Sequence, residues 1–296
     1  MGLFDRPAGC VKQADPRFIA CRESLSSSRI VIYGIPFEGR VNLRKGAAAG
    51  PTDLRLASDS IETYSPALGR DMEDLPLCDL GDCDLPPDAP PRIQLDAARD
   101  QIRRWWHPGL IPFMLGGDHT ATVPVIEAIA PAFPDLRVLQ LDAHPDTREE
   151  FLGERYTYAS AMARVMEVVP PERVYQVGMR TGSREEFERA RPNFFPLAAG
   201  PPWATVRRLL PELLGHPLYV TIDVDVLDPS HAPGTGSPEP GGLSVPELIE
   251  IVRLLGDAHV IGGDLVEVAH AWDPTGRTGI AASWVIREAL LTWWGK

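Results

Sequence analysis

Short apolar runs recur along the chain, each giving way to a polar turn and then to apolar residues at helical spacing. Residues 29–37 (RIVIYGIPF) form a continuous apolar run, the pattern of a strand buried on both faces of a parallel sheet. The same reading places strands at 75–85, 112–115, 136–144, 173–180, 218–226 and 259–268. Between them, helical spacing appears at Leu54, Ala57 and Ile61, then over 94–105, 121–130 (closed by Pro131), 158–168, 183–191, 203–214 and 245–255. The chain ends in an apolar helix over 278–294, with Ile280, Trp284, Arg287 and Leu291 at helical intervals. Alternation of strand and helix predicts a three-layer α/β/α sandwich around a mostly parallel sheet. No internal repeat or low-complexity tract divides the chain, so the expectation is one α/β domain over 29–296 and an N-terminal arm over 1–28.

Polar residues interrupt this pattern where strands end, which is where ligands bind in open parallel sheets. In 139–146 (LQLDAHPD), Asp142, His144 and Asp146 occupy alternate positions. On an extended backbone they share a face, with neighbours about 7 Å apart at a rise of about 3.3 Å per residue. Residues 112–120 (PFMLGGDHT) end in Asp118 and His119, and 219–229 (YVTIDVDVLDP) carry Asp223 and Asp225. Burying ionised carboxylates without partners is costly, so three such ends imply a shared counter-charge. Carboxylates with imidazoles suit a borderline-hard divalent ion such as manganese, and no cysteine lies near enough for a closed zinc-thiolate site.

Composition narrows the function. With 296 residues and 44% hydrophobic content the chain can bury a substantial core. Its formal charge of −12 argues against nucleic acid and is compatible with a small cationic substrate. There is no apolar run of membrane-spanning length and no secretory leader, so no membrane association is expected and the cytoplasm is the expected location. Cys10, Cys21, Cys78 and Cys83 match no zinc spacing and are read as reduced structural residues. The paired glycines of LGGDH and GGDLVE form no dinucleotide fingerprint.

GGDHT, DAHPD and TIDVDVLDP, in that order, resemble the signature motifs of the ureohydrolases, the arginase and agmatinase family of binuclear manganese enzymes. The resemblance extends to 34–51, 231–244 and 262–283 and so covers nearly all of the chain from residue 29. It implies an arginase-like fold holding two Mn²⁺ ions on His119, Asp142, His144, Asp146, Asp223 and Asp225. It implies attack on a guanidinium carbon by a hydroxide shared between the ions, with release of urea from a linear guanidino compound, agmatine-like more than arginine-like. By the same resemblance Asp146 holds the hydroxide and carries its proton to the leaving amine, and Glu267 pairs with the substrate guanidinium. The family's trimers and hexamers imply a homo-oligomer.

Five positions depart from that pattern or qualify it. In 153–167 (GERYTYASAMARVME), Tyr158 stands where the family has a proton-shuttle histidine. Tyrosine, with a pKa near 10 against about 6.5 for histidine, donates a hydrogen bond at neutral pH but shuttles protons poorly. Tyr158 is therefore expected at the substrate with altered turnover or specificity; the alternative is a metal-binding relative that does not hydrolyse. Ala269 and His270 replace a common Asn-Pro, which makes His270 a candidate substrate contact and a substitute proton carrier. His231, in a form the family uses, is read as structural, and Glu38 stands where an aspartate is commoner. A zinc amide hydrolase of the deacetylase type would need paired adjacent histidines, which the chain lacks.

Overall fold

Residues 16–189 and 192–295 are described by the computed structural model. Most of the expected N-terminal arm, and Cys10 with it, lies outside them. In chain order the elements are β1 (Ile30–Ile35), α1 (Gly50–Ser58), β2 (Tyr64–Ser65), β3 (Arg70–Asp71), β4 (Leu77–Asp82), α2 (Pro91–Trp105), β5 (Ile111–Gly116), α3 (Thr122–Ile129), β6 (Arg137–Leu141), α4 (Ala161–Val165), β7 (Val174–Met179), α5 (Arg184–Glu188), β8 (Phe194–Pro196), α6 (Pro202–Leu213), β9 (Pro217–Asp223), α7 (Val245–Leu254), β10 (His259–Val266) and α8 (Arg277–Trp294).

Alternation along each strand feeds two apolar cores. Ile30 and Ile32 of β1, with Phe113 and Leu115 of β5, point into a core shared with α1, α6, α7 and α8. Val31, Tyr33 and Ile35, with Met114, point the other way into a core shared with α2, α3 and α4. Both faces are covered, so the strands read as unbroken apolar runs. The result is the expected α/β/α sandwich, with an eight-stranded sheet in the order β4-β1-β5-β10-β9-β6-β7-β8, parallel at every pairing.

That order positions the site. The chain leaves the sheet at β5 and re-enters at β6, and the two strands made last fill the space between them. The carboxyl ends of β5, β10, β9 and β6 therefore stand side by side. Close packing there demands the glycines before Asp118: a Cβ on Gly117 would meet the Phe37 carbonyl oxygen at 1.9 Å, and one on Gly116 would meet Val266 Cγ1 at 2.4 Å.

Several expected elements differ in extent. The helix expected over 158–168 is a single 3₁₀ turn (Tyr158–Ser160) followed by the short α4; of that expected over 183–191, α5 ends at Glu188 and residues 190 and 191 lie outside the described ones. The edge strand β8 and the hairpin of β2 and β3 carry too few residues to show a sequence period. On α8, Ile280 and Trp284 face solvent, at 41% and 44% exposure, with the Arg287 guanidinium over the Trp284 ring; the core is filled instead by Ala282, Val285, Ile286, Ala289 and Leu290. Among the described residues no helix is long and apolar enough to cross a membrane, and Cys21, Cys78 and Cys83 are buried.

Candidate metal centre

Each expected ligand follows directly from a strand end. His119 opens a 3₁₀ turn after β5, Asp142 follows β6 at once, and Asp223 closes β9, with Asp225 in the turn beyond. The alternate spacing of the ligands is held by local hydrogen bonds: Asp142 Oδ1 accepts the His144 amide at 2.6 Å, and Asp223 Oδ1 accepts the Asp225 amide at 2.8 Å. Asp146, which follows in the same loop, takes a left-handed φ of 54°, a conformation that costs a non-glycine residue about 1–3 kcal/mol and recurs at functional sites.

Five of the six side chains form two triads that share one carboxylate, and Asp146 stands beside the first. His119, Asp142 and Asp223 form the first, and Asp142, His144 and Asp225 the second. His119 Nδ1 lies 3.0 Å from Asp142, 3.1 Å from Asp146 and 3.3 Å from Asp223. This buried nitrogen nonetheless has no well-aligned hydrogen-bond partner. Its other ring nitrogen is 2.9 Å from the Thr221 hydroxyl, so a neutral tautomer donating to Thr221 turns a lone pair toward the three carboxylates. His144 Nδ1 is 2.9 Å from Asp225 in the second triad. Four carboxylates and two imidazoles around an orphaned nitrogen fit metal ions, whose charge would offset the buried negative charge.

Without cations the cluster compensates by binding protons. Burial opposes charging His119, but the carboxylates of Asp142, Asp146 and Asp223 outweigh it and hold the imidazole well above the usual histidine range. Desolvation likewise opposes charging the half-buried His144, and Asp225 and Asp142 outweigh it and raise the imidazole. Burial and the Asp142 charge push Asp146 up to about 7, and burial with Asp225 and Asp142 raises Asp223 well above normal. Asp142, despite its burial, is held below the carboxylate range by His119 and His144.

Glu267 follows β10 and closes the cleft from the neighbouring strand. Its backbone φ is 66°, its Oε1 accepts the His119 amide at 2.9 Å, and burial together with Asp118 pushes its carboxyl well up. Tyr158 reaches toward it: burial and the Glu267 and Asp146 charges raise the phenol, while the Asn42 backbone N–H lowers it by bonding the oxygen. The Tyr158 ring meets Phe151 edge-on at 5.7 Å. Tyr158 thus lies among the site groups, beside the loop over 38–46.

His270 is placed elsewhere. It is exposed, and its backbone N–H and its charge face Asp53 of α1. His231 sits between the Asp228 turn and Glu247 of α7, consistent with a structural role. Asp118, buried and pushed up to about 6 chiefly by burial, binds the Gly39 and Thr120 amides. Glu38 binds the amides of Gly46 and Ala47 and folds the mouth loop back on itself.

Other contributors were not singled out in the sequence. Thr122 and Tyr219 donate to the buried Asp264 at 3.0 and 2.7 Å, and Thr122 also meets Thr221, so a polar chain runs beneath His119. Gln140 donates to Asp142 at 2.6 Å, and Glu239 stands 3.8 Å from His144 Nε2. The available signal was period two: Gln140 and Thr221 each precede a ligand by two positions on the same strand face.

Residues 28–292 match the sequence model of the Arginase family. The chain belongs to the arginase family. This arginase-family chain is 39% identical over 278 residues to agmatinase from Bacillus anthracis, with 93% of the chain and 96% of that protein covered. Among solved structures it is similar to agmatine ureohydrolase of Thermoplasma volcanium, with a TM-score of 0.84, 26% identity and 94% of each chain covered. It is also similar to proclavaminate amidino hydrolase from Streptomyces clavuligerus, with a TM-score of 0.82, 30% identity, and 97% and 99% of the two chains covered. The arginase-family chain is thus an agmatinase-like hydrolase acting on C–N bonds of linear amidines.

Proposed function

We propose that the chain releases urea from a linear guanidino compound, agmatine-like in its tail, using two manganese ions held by His119, Asp142, His144, Asp146, Asp223 and Asp225. The observation that supports this most is the orphaned Nδ1 of His119, within 3.0–3.3 Å of three carboxylates and bonded to none of them. When bound, such a pair of ions supplies a water acidic enough to ionise near neutral pH.

The chain's own groups do the rest. Glu267, fixed through Oε1, presents Oε2 to the planar guanidinium. Asp146 is placed to take the proton of the attacking water and return it to the leaving amine, general acid-base work that contributes about 10²–10⁴-fold. Tyr158 keeps its proton and orients the substrate as a donor, so proton exchange with solvent is the step this chain performs poorly. His270 takes no part. A small cationic substrate, a cytoplasmic setting and assembly into trimers or hexamers belong to the same reading.

The test offers agmatine, arginine, guanidinobutyrate, guanidinopropionate and aminopropylagmatine to the manganese-loaded protein, with urea measured across pH 7 to 10. Urea from at least one of them is expected, agmatine or aminopropylagmatine first. Two bound ions with no urea from any would overturn hydrolysis in favour of a nonhydrolytic metal-binding role.

A further inference from the structure

Two glutamines are buried where the strand pattern calls for apolar residues. Gln140 of β6 and Gln176 of β7 are register partners, 0% and 1% exposed. Gln176 Nε2 donates to the Pro145 carbonyl and to Gln140 Oε1, both at 2.6 Å. Gln140 Nε2 donates in turn to Asp142 Oδ2 at 2.6 Å and to the His144 carbonyl at 3.2 Å.

The direction of this chain is fixed chemically. A carbonyl only accepts, so the end of Gln176 facing Pro145 is its amide nitrogen. The same nitrogen faces Gln140, which must answer with its oxygen, leaving its own nitrogen for Asp142. Pro145 and His144, whose carbonyls complete the arrangement, belong to the loop that carries two of the ligands.

Asp142 is the carboxylate common to both triads. Each of its oxygens has one fixed donor, the His144 amide on Oδ1 and Gln140 on Oδ2. We infer that Gln140, set in place by Gln176, is a positioning residue that aims the shared carboxylate at both cation sites. The inference rests on the two-cation reading. An amide has no proton to lose in the working range, so this support does not vary with pH.

Gln140→Met, Gln176→Met and the double variant keep side-chain volume and remove the donors. Each protein, stripped by chelation, is titrated with Mn²⁺ at fixed pH, with bound metal counted by elemental analysis and thermal unfolding followed without metal. Wild type is expected to bind two ions; Gln140→Met is expected to weaken manganese binding by about 10–100-fold, the usual effect of losing an outer hydrogen bond to a ligand. Gln176→Met is expected to act in the same direction, and the double variant to lose less than the two losses combined, because the residues act in series. Unchanged manganese affinity in Gln140→Met, with or without a lower metal-free unfolding temperature, overturns the inference and leaves the two-cation reading standing. Additive losses overturn the serial arrangement, and a wild type that binds no manganese overturns both readings. Should Gln140→Met fail to fold, Gln140→Asn, whose amide falls one methylene short, faces the same criterion.

Discussion

One oxygen of Glu267 is tied to the backbone amide of His119 at 2.9 Å, and the described residues give its other oxygen no hydrogen bond. A residue beside the proposed substrate and a residue in the proposed metal shell are thereby set at a fixed separation. Glu267→Gln keeps an acceptor for the His119 amide and removes the charge. We expect kcat/KM for the best guanidino substrate to fall by roughly 30- to 5,000-fold, since losing one partner of a buried ion pair costs about 2–5 kcal/mol. Bound manganese should stay the same by elemental analysis; unchanged kinetics would remove Glu267 from the substrate site.

Tyr158 offers the sharpest kinetic contrast. Its phenol is raised by burial and by Glu267, so it holds its proton throughout the neutral range. Tyr158→His should raise kcat for urea release between pH 7 and 8, by up to the about 10²-fold at which general acid-base catalysis begins. The pH-rate profile should also gain a limb near the histidine range. Rates and profile identical to wild type would show that this position carries no protons.

Metal-free protein should lose stability as pH rises. Asp118 at about 6 and Asp146 at about 7, with Asp223 and Glu267 also raised, bind more protons folded than unfolded once pH exceeds about 4. His119 and His144 extend the imbalance above about 6.5. Stability therefore falls from about pH 4 through 8; the depressed Asp142 works the other way, but only in stronger acid. Calorimetry of chelator-treated protein at pH 5 and pH 8 should show the lower unfolding temperature at pH 8. Added Mn²⁺ should close the gap, because binding displaces the same protons. An apo unfolding temperature that rises over this range would contradict the assigned shifts.

Gly117 supplies a control on the scaffold. Its substitution by alanine drives a methyl to 1.9 Å from the Phe37 carbonyl oxygen, so the β1 end must move. Overpacking of this kind costs about 1–3 kcal/mol, read as a lowered unfolding temperature with manganese present. An unchanged unfolding temperature would mean the loop yields freely there.

Much of this was written in the sequence because parallel strands declare themselves as apolar runs and their ends as acids. Asp142, His144 and Asp146 were visible because two-residue spacing on an extended chain puts them on one face. Gln140 and Gln176 were not, because nothing local says that two strands place them opposite each other. The exposure of His270 was hidden for a related reason: Glu267 points into the cleft, but three residues later the chain faces Asp53 of α1. The Tyr158 helix was overestimated at its far end: Thr157 and Ser160 form a capping box that starts the turn at Tyr158 as expected, but α4 stops at Val165.

The sheet is completed out of order. β10 comes last in the chain yet lies between β5 and β9, and Glu267 beyond it reaches back 148 residues to His119. During synthesis, an emerging polypeptide has nothing to bridge those two strands until almost all of it has left the ribosome. Of the two triads, the one that joins His119 to Asp142 and Asp223 therefore waits for β10, whereas the one carried by the adjacent β6 and β9 does not.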